Sequence, residues 1–356
     1  MSSDLVDWEV AASTARTLTP AGPSVPFAEA ASVVEQLREF AVGAESHVRT
    51  FTGLADDQVP PPASVVDRPG WIDNNIEGFR CAVGPLLASL AERRADHAGA
   101  LAPGVIAAVG SRVTGAQVGA ILAFLATRVL GQYEIFLPEG KGEGRLSLVA
   151  PNIVATERRL GVDPRDFRLW VCLHESTHRT QFTAHPWMRE HLLGEITELV
   201  NRTDLDASAL AARLREALGA VVQAIRGGTE GVSLIEALQT PAQREILDRL
   251  TALMSLLEGH AEFVMDGVGP EVVPSVTTLR KRFDTRRHGN PVERVVRRLI
   301  GLDMKMAQYA DGHRFVQAVV DRVGMPAFNH IWTDATTLPT RAELHEPDAW
   351  VARVSP

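Results

Sequence analysis

Cysteine is almost missing from this sequence. Cys81 and Cys172 are its only two among 356 residues. So few, and so far apart, they exclude a disulfide framework and imply reduced thiols in a cytoplasmic setting. A basic excess is missing too. With 36 Lys and Arg against 44 Asp and Glu, the net charge is -8. That argues against a general nucleic-acid binder, which needs a positive face to meet phosphates. No hydrophobic run is long enough for a membrane. The longest, 118–126, is broken by Thr127 and Arg128, well short of the roughly 20 residues a spanning helix requires. The first residues, Met1 to Asp7, are acidic and carry no apolar core of the signal-peptide kind.

What is present is helical patterning. Residues 1–130 read as a helical region, with helices over 27–51, 73–94 and 104–130 and a turn or linker at Gln58-Val59-Pro60-Pro61-Pro62. Around residue 131 the pattern changes. Tyr133 to Leu137 alternates, and Arg145 to Ala150 is a second strand candidate across a glycine-rich loop, so a hairpin is expected. An exposed edge there could hold an extended peptide by backbone pairing. Further helices follow over 187–200, 207–225, 292–310 and 314–323. One more starts at Thr240-Pro241-Ala242-Gln243, a capping box, and ends at Gly267. The expected fold is mainly α with a small β element. A second region, 131–356, packs with the first as one unit.

The chemistry concentrates in His174-Glu175-Ser176-Thr177-His178. On a helix, residues four apart share a face, so both imidazoles can converge on one metal ion while Glu175 acts on its water as general base. Helical signals support this: Asp163 is a good N-cap, Pro164 a good first helical residue, and Pro186 a stop. Cys172 falls on a different face and reads as packing. A catalytic zinc needs a third protein ligand and an open position. The metzincin spacing would require Gly at 181 and His at 184, where this chain has Gln181 and Ala184. A glutamate on a later helix is the other solution, and Leu257-Glu258-Gly259-His260-Ala261-Glu262 supplies it. Glu258 is the favoured ligand, with Glu262 behind it to orient a ligand imidazole. His260 is the alternative ligand, and Glu262 with Asp266 a third option.

These two segments, together with Leu148-Val149-Ala150-Pro151-Asn152 and Gly301-Leu302-Asp303-Met304-Lys305-Met306-Ala307-Gln308-Tyr309, resemble the zincin-like metallopeptidase type 2 family. Its members are actinobacterial proteins, some named for association with deazaflavin coenzyme biosynthesis. The similarity covers nearly the whole chain. Glu258-x-x-Ala261-Glu262 is also similar to the Glu-x-x-Ala-Asp element of membrane-bound gluzincins, with Glu262 in place of Asp. The resemblance implies a zincin-type metal site in a mostly helical fold, and supplies no substrate.

The function expected is a zinc-dependent hydrolase acting on peptide or amide bonds, with one Zn²⁺ per chain. Glu175 would move the proton, and Tyr309 or His313 would face the oxyanion. The basic stretch at Arg280-Lys281-Arg282 and Arg286-Arg287 could attract an anionic substrate. The competing expectation is a non-catalytic, zinc-stapled helical module. Glu175 discriminates between the two, because a structural site has no use for that carboxylate.

Overall fold

The computed structural model describes residues 5–54, 60–97, 103–138, 142, 144–202, 240–287 and 302–354. The helix expected over 207–225 and the first part, 292–301, of the one expected over 292–310 lie outside them.

Twelve α-helices are described. In the first half these are α1 (Trp8–Leu18), α2 (Phe27–Thr52), α3 (Arg68–His97), α4 (Pro103–Ala126) and α5 (Ala150–Leu160). The second half holds α6 (Pro164–Ala184), α7 (Trp187–Asn201), α8 (Pro241–Val272), α9 (Val276–Arg287) and α10 (Leu302–Val323). The short α11 (Met325–Phe328) and α12 (Pro347–Val354) close the chain. Three strands, β1 (Ser64–Val66), β2 (Gly131–Glu134) and β3 (Arg145–Val149), form one sheet in the order β1-β3-β2. No helix among the described residues is long and apolar enough to cross a membrane.

The hairpin is present: β2 and β3 pair antiparallel, with Gly131 opposite Leu148 and Tyr133 opposite Leu146. The unexpected strand is β1, which pairs parallel with β3 from the far side of the residue-130 boundary. It follows three prolines and is three residues long, too short to show a period of two. Both regions therefore share one sheet. They share a core as well, in which Val33, Leu37, Phe40 and Ala44 of α2 pack with Phe167, Val171 and Leu173 of α6 and Leu146 and Leu148 of β3.

Local chemistry sets the ends of the site helices. The Asp163 side chain accepts from Asp166 N at 3.0 Å, leaving Pro164 where its missing N–H costs nothing. In α8 the Thr240–Gln243 capping box is complete in both directions. This helix runs on to Val272, past Gly267, with Pro270 inside it.

α6 is the central element. It is held between α2 and α8, with β2 against a third side. Even its polar residues Glu175, Ser176, Thr177, Arg179, Thr180 and Gln181 are buried. Burial of that kind demands partners. Thr177 and Thr180 return hydrogen bonds to Leu173 O and Ser176 O, and Arg179 reaches Pro61 O at 2.9 Å and Glu45 at 3.1 Å. α8 in turn crosses α10 at Gly259 and Gly312, where a Cβ on Gly259 would stand 2.1 Å from the Gly312 carbonyl carbon. Only glycine allows that approach.

Candidate metal centre

His174 and His178 come from the middle of α6 and Glu258 from the middle of α8. Their ligand atoms all lie within 4.8 Å of one another, the only such group of three among the described residues. The two Nε2 atoms are 3.2 Å apart, and Glu258 Oε2 is 3.5 Å from the first and 3.7 Å from the second. Donors held about 2.0–2.1 Å from a tetrahedral zinc ion stand about 3.3 Å from each other. The observed triangle is close to that size, and its two imidazoles and one carboxylate are a donor set zinc accepts. The donor set therefore fits the group that the pattern implies. The side chains of His174 and Glu258 are 26% and 21% exposed, so solvent reaches one side of the triangle, as a catalytic rather than a structural site requires.

Glu175 stands beside this trio but is buried from solvent. Burial pushes its carboxyl up to about 7, with Glu258 adding to the rise and His178 opposing it. Burial alone would lower His178, but the carboxylates of Glu258 and Glu175, with Gln181, outweigh it and lift the imidazole to about 9. Two carboxylates thus draw positive charge to the place where the ring nitrogens converge. A cation bound there displaces that proton.

β2 approaches Glu175 with no side chain between them. A Cβ on Gly131 would fall 2.6 Å from Glu175 Cγ, so glycine at this position makes room for the carboxylate. Tyr133, on the same face of the strand, packs on Phe182 of α6 with ring centroids 6.1 Å apart. Gln132 and Glu134 point to the other face, where Gln132 bonds Trp71 and Asn75, and Glu134 bonds Arg145 and Ser147. β2 is an edge strand.

Several candidates do not join the cluster. His260, the alternative ligand, is completely buried, stacked on Phe328 and edge-on to Trp332, and its Nδ1 meets Gln181 Nε2 at 3.0 Å rather than the trio. It stands two positions after Glu258, about 200° of rotation on a helix, so its ring is kept apart from the Glu258 carboxylate. Burial, with repulsion from His178 and His185, pushes it down to about 3. Asp266 is taken by Arg280 at 2.5 Å and by His313 Nε2 at 3.0 Å. Asp266 and His313 are thus paired with each other, and neither is among the three residues of the cluster. Arg282 closes the end of α5 on the carbonyls of Leu160 and Gly161. Arg280 and Arg282 thus have structural partners, and the side chains of Arg286 and Arg287 lie outside the described residues. So does that of Tyr309, although its backbone belongs to α10.

Side chains other than the expected Glu262 meet the Nδ1 atoms of the two imidazoles. Glu262 is half-buried one turn beyond Glu258, and its backbone carbonyl accepts from Arg280. The Nδ1 atom of His178 instead meets Gln181 Oε1 at 3.0 Å, and that of His174 meets Met265 Sδ at 3.2 Å. Neither partner was singled out from sequence as an orienter. The available signal was spacing: Gln181 stands three residues after His178, on the same face of the helix.

A family model described as zincin-like metallopeptidase matches residues 6–351. A solved structure, "Crystal structure of a putative hydrolase with a novel fold from Chloroflexus aurantiacus", is similar at 30% sequence identity and a TM-score of 0.65, covering 98% of this chain and 99% of that chain. No curated protein sequence matches. The family match spans the whole frame that brings α6 and α8 together, and the chain belongs to the zincin-like metallopeptidase family.

Proposed function

We propose that the chain is a zinc-dependent hydrolase of gluzincin type that cleaves peptide or amide bonds. The observation that carries this reading is the triangle of His174 Nε2, His178 Nε2 and Glu258 Oε2, sized for one zinc ion and open to solvent on one side. When bound, the ion supplies Lewis-acid polarisation of a carbonyl and a lowered pKa for water. Glu175 takes the water proton at its carboxylate and hands it to the leaving amine. Gly131 keeps the space in front of that carboxylate clear. The outer edge of β2 accepts an extended substrate backbone by strand addition and lays it across the centre. Tyr309 is the proposed oxyanion partner, and Glu262 supports Glu258 from one turn away.

Elemental mass spectrometry on chelator-free protein tests the centre. About one zinc per chain is expected in the wild type and in Glu175→Gln, and none in His174→Ala or Glu258→Ala. A peptide library should then be cut by the wild type and spared by Glu175→Gln. Wild-type protein that takes up no zinc defeats the proposal. Zinc retained together with undiminished function in Glu175→Gln would leave the ion a structural staple.

A further inference from the structure

Resting on that reading, we infer that Gln181 is the positioning residue of the centre: its carboxamide fixes the ring of His178 and ties it to the helix that carries Glu258. Gln181 is completely buried, and three of its four hydrogen-bonding directions are used. Its Nε2 lies 2.9 Å from Leu257 O and 3.0 Å from His260 Nδ1, and its Oε1 lies 3.0 Å from His178 Nδ1.

Leu257 O can only accept, so the amide nitrogen must face it and cannot exchange places with the oxygen. The oxygen therefore faces His178, whose Nδ1 must carry a proton and donate it. That tautomer leaves the lone pair of His178 Nε2 directed at His174 Nε2 and Glu258, the one arrangement a cation can use. The second amide N–H goes to His260 Nδ1, which accepts. This gives His260 a role although it is no ligand: it holds the carboxamide from behind. Leu257 is the residue immediately before Glu258, so one side chain of α6 references both helices of the centre to each other. The Nδ1 of His174 faces the thioether of Met265, a weak acceptor.

The test uses the full-length protein and zinc alone, with dissociation constants read by competition against a chromogenic chelator. Gln181→Leu is expected to bind zinc 10- to 100-fold more weakly than wild type, the usual effect of losing a ligand's orienting partner. Gln181→Glu, whose buried carboxyl when protonated donates to Leu257 O and keeps its other oxygen facing His178 Nδ1, is expected to stay within about 3-fold of wild type at a pH that keeps it protonated. A merely structural role predicts the opposite order, because a buried carboxyl disturbs packing more than leucine does. Met265→Leu is expected to cost less than Gln181→Leu. If Gln181→Leu does not fold, ¹⁵N-histidine spectra of zinc-loaded wild type decide. The Nδ1–H of His178 should be visible and slow to exchange, and one that exchanges as fast as free imidazole overturns the inference. Wild-type affinity in Gln181→Leu, or equal losses in the Leu and Glu variants, overturns it too while leaving the hydrolase reading intact. Wild type that binds no zinc ends both.

Discussion

Replacing either glycine at the α8–α10 crossing with alanine opposes two effects of known size. Alanine in a helix interior is favoured over glycine by about 1 kcal/mol. Against this, the new Cβ on Gly259 would stand 2.1 Å from Gly312 C, and one on Gly312 would stand 1.9 Å from Ser255 O, where ordinary contact begins at 3.4 Å. The atoms met are backbone, so no rotamer change relieves them, and the helices must part by more than 1 Å. Parting them loosens Leu253, Leu256 and Leu257 of α8 from Phe315, Val316 and Val319 of α10, which pack in one buried cluster. Overpacking on that scale costs about 3 kcal/mol, so each single variant should lose about 2 kcal/mol net.

The double variant carries the sharper expectation. One separation of the helices accommodates both methyl groups, while the propensity gain is collected twice. Its loss should be about 1–2 kcal/mol, short of the roughly 4 that independent sites would give. Urea unfolding of metal-free protein measures this as a change in midpoint at constant slope. Gly259 also adjoins Glu258, so zinc affinity should fall in the same variants. Strict additivity, or a Gly259→Ala protein more stable by about 1 kcal/mol, would show that the helices do not meet at these glycines and refute the reasoning.

Three further outcomes are expected. Gly131→Ala should leave zinc content at the wild-type level but reduce turnover by about 10²-fold, by displacing Glu175 rather than the ligands; unchanged turnover would separate β2 from the reaction. Arg168 holds Glu157 at 3.0 and 2.5 Å in the interior, so Arg168→Met should cost about 3–5 kcal/mol at pH 7 by stranding a buried carboxylate. Burial holds that carboxyl above the usual range against the pull of Arg168. Its protonation therefore favours the folded state, and the deficit should narrow as pH falls from 7 towards 5; a deficit of under 1 kcal/mol, or one flat across that window, would contradict this. Finally, burial and the neighbouring Glu175 push the Cys172 thiol far up, while Cys81 is only partly buried. A thiol reagent at pH 8 should label Cys81 in the native protein, and both cysteines only after unfolding. Native labelling of Cys172 would mean that α6 opens in solution.

The shared face of His174 and His178, with Glu175 beside them, was legible in the sequence, because it depends on spacing within a single helix. The i, i+4 repeat puts both imidazoles on one face, and Asp163, Pro164 and Thr240-Pro241-Ala242-Gln243 announce where the two helices begin. The hairpin was legible for the same reason, through its alternation. Choosing between Glu258 and His260 was another matter. The two are about 200° apart around α8, and which of them reaches His174 and His178 depends on how the helices dock. That docking is set by contacts distant in sequence: the glycine crossing with α10, and the Phe328–Trp332 box that encloses His260. The parallel pairing of β1 with β3 and the meeting of Met265 with His174 were hidden likewise, whereas Gln181 stood at a legible i, i+3 spacing from His178. A contact between side chains on different helices leaves no period in either one, so only the tertiary structure could reveal that Gln181 also reaches Leu257 and that Met265 meets His174.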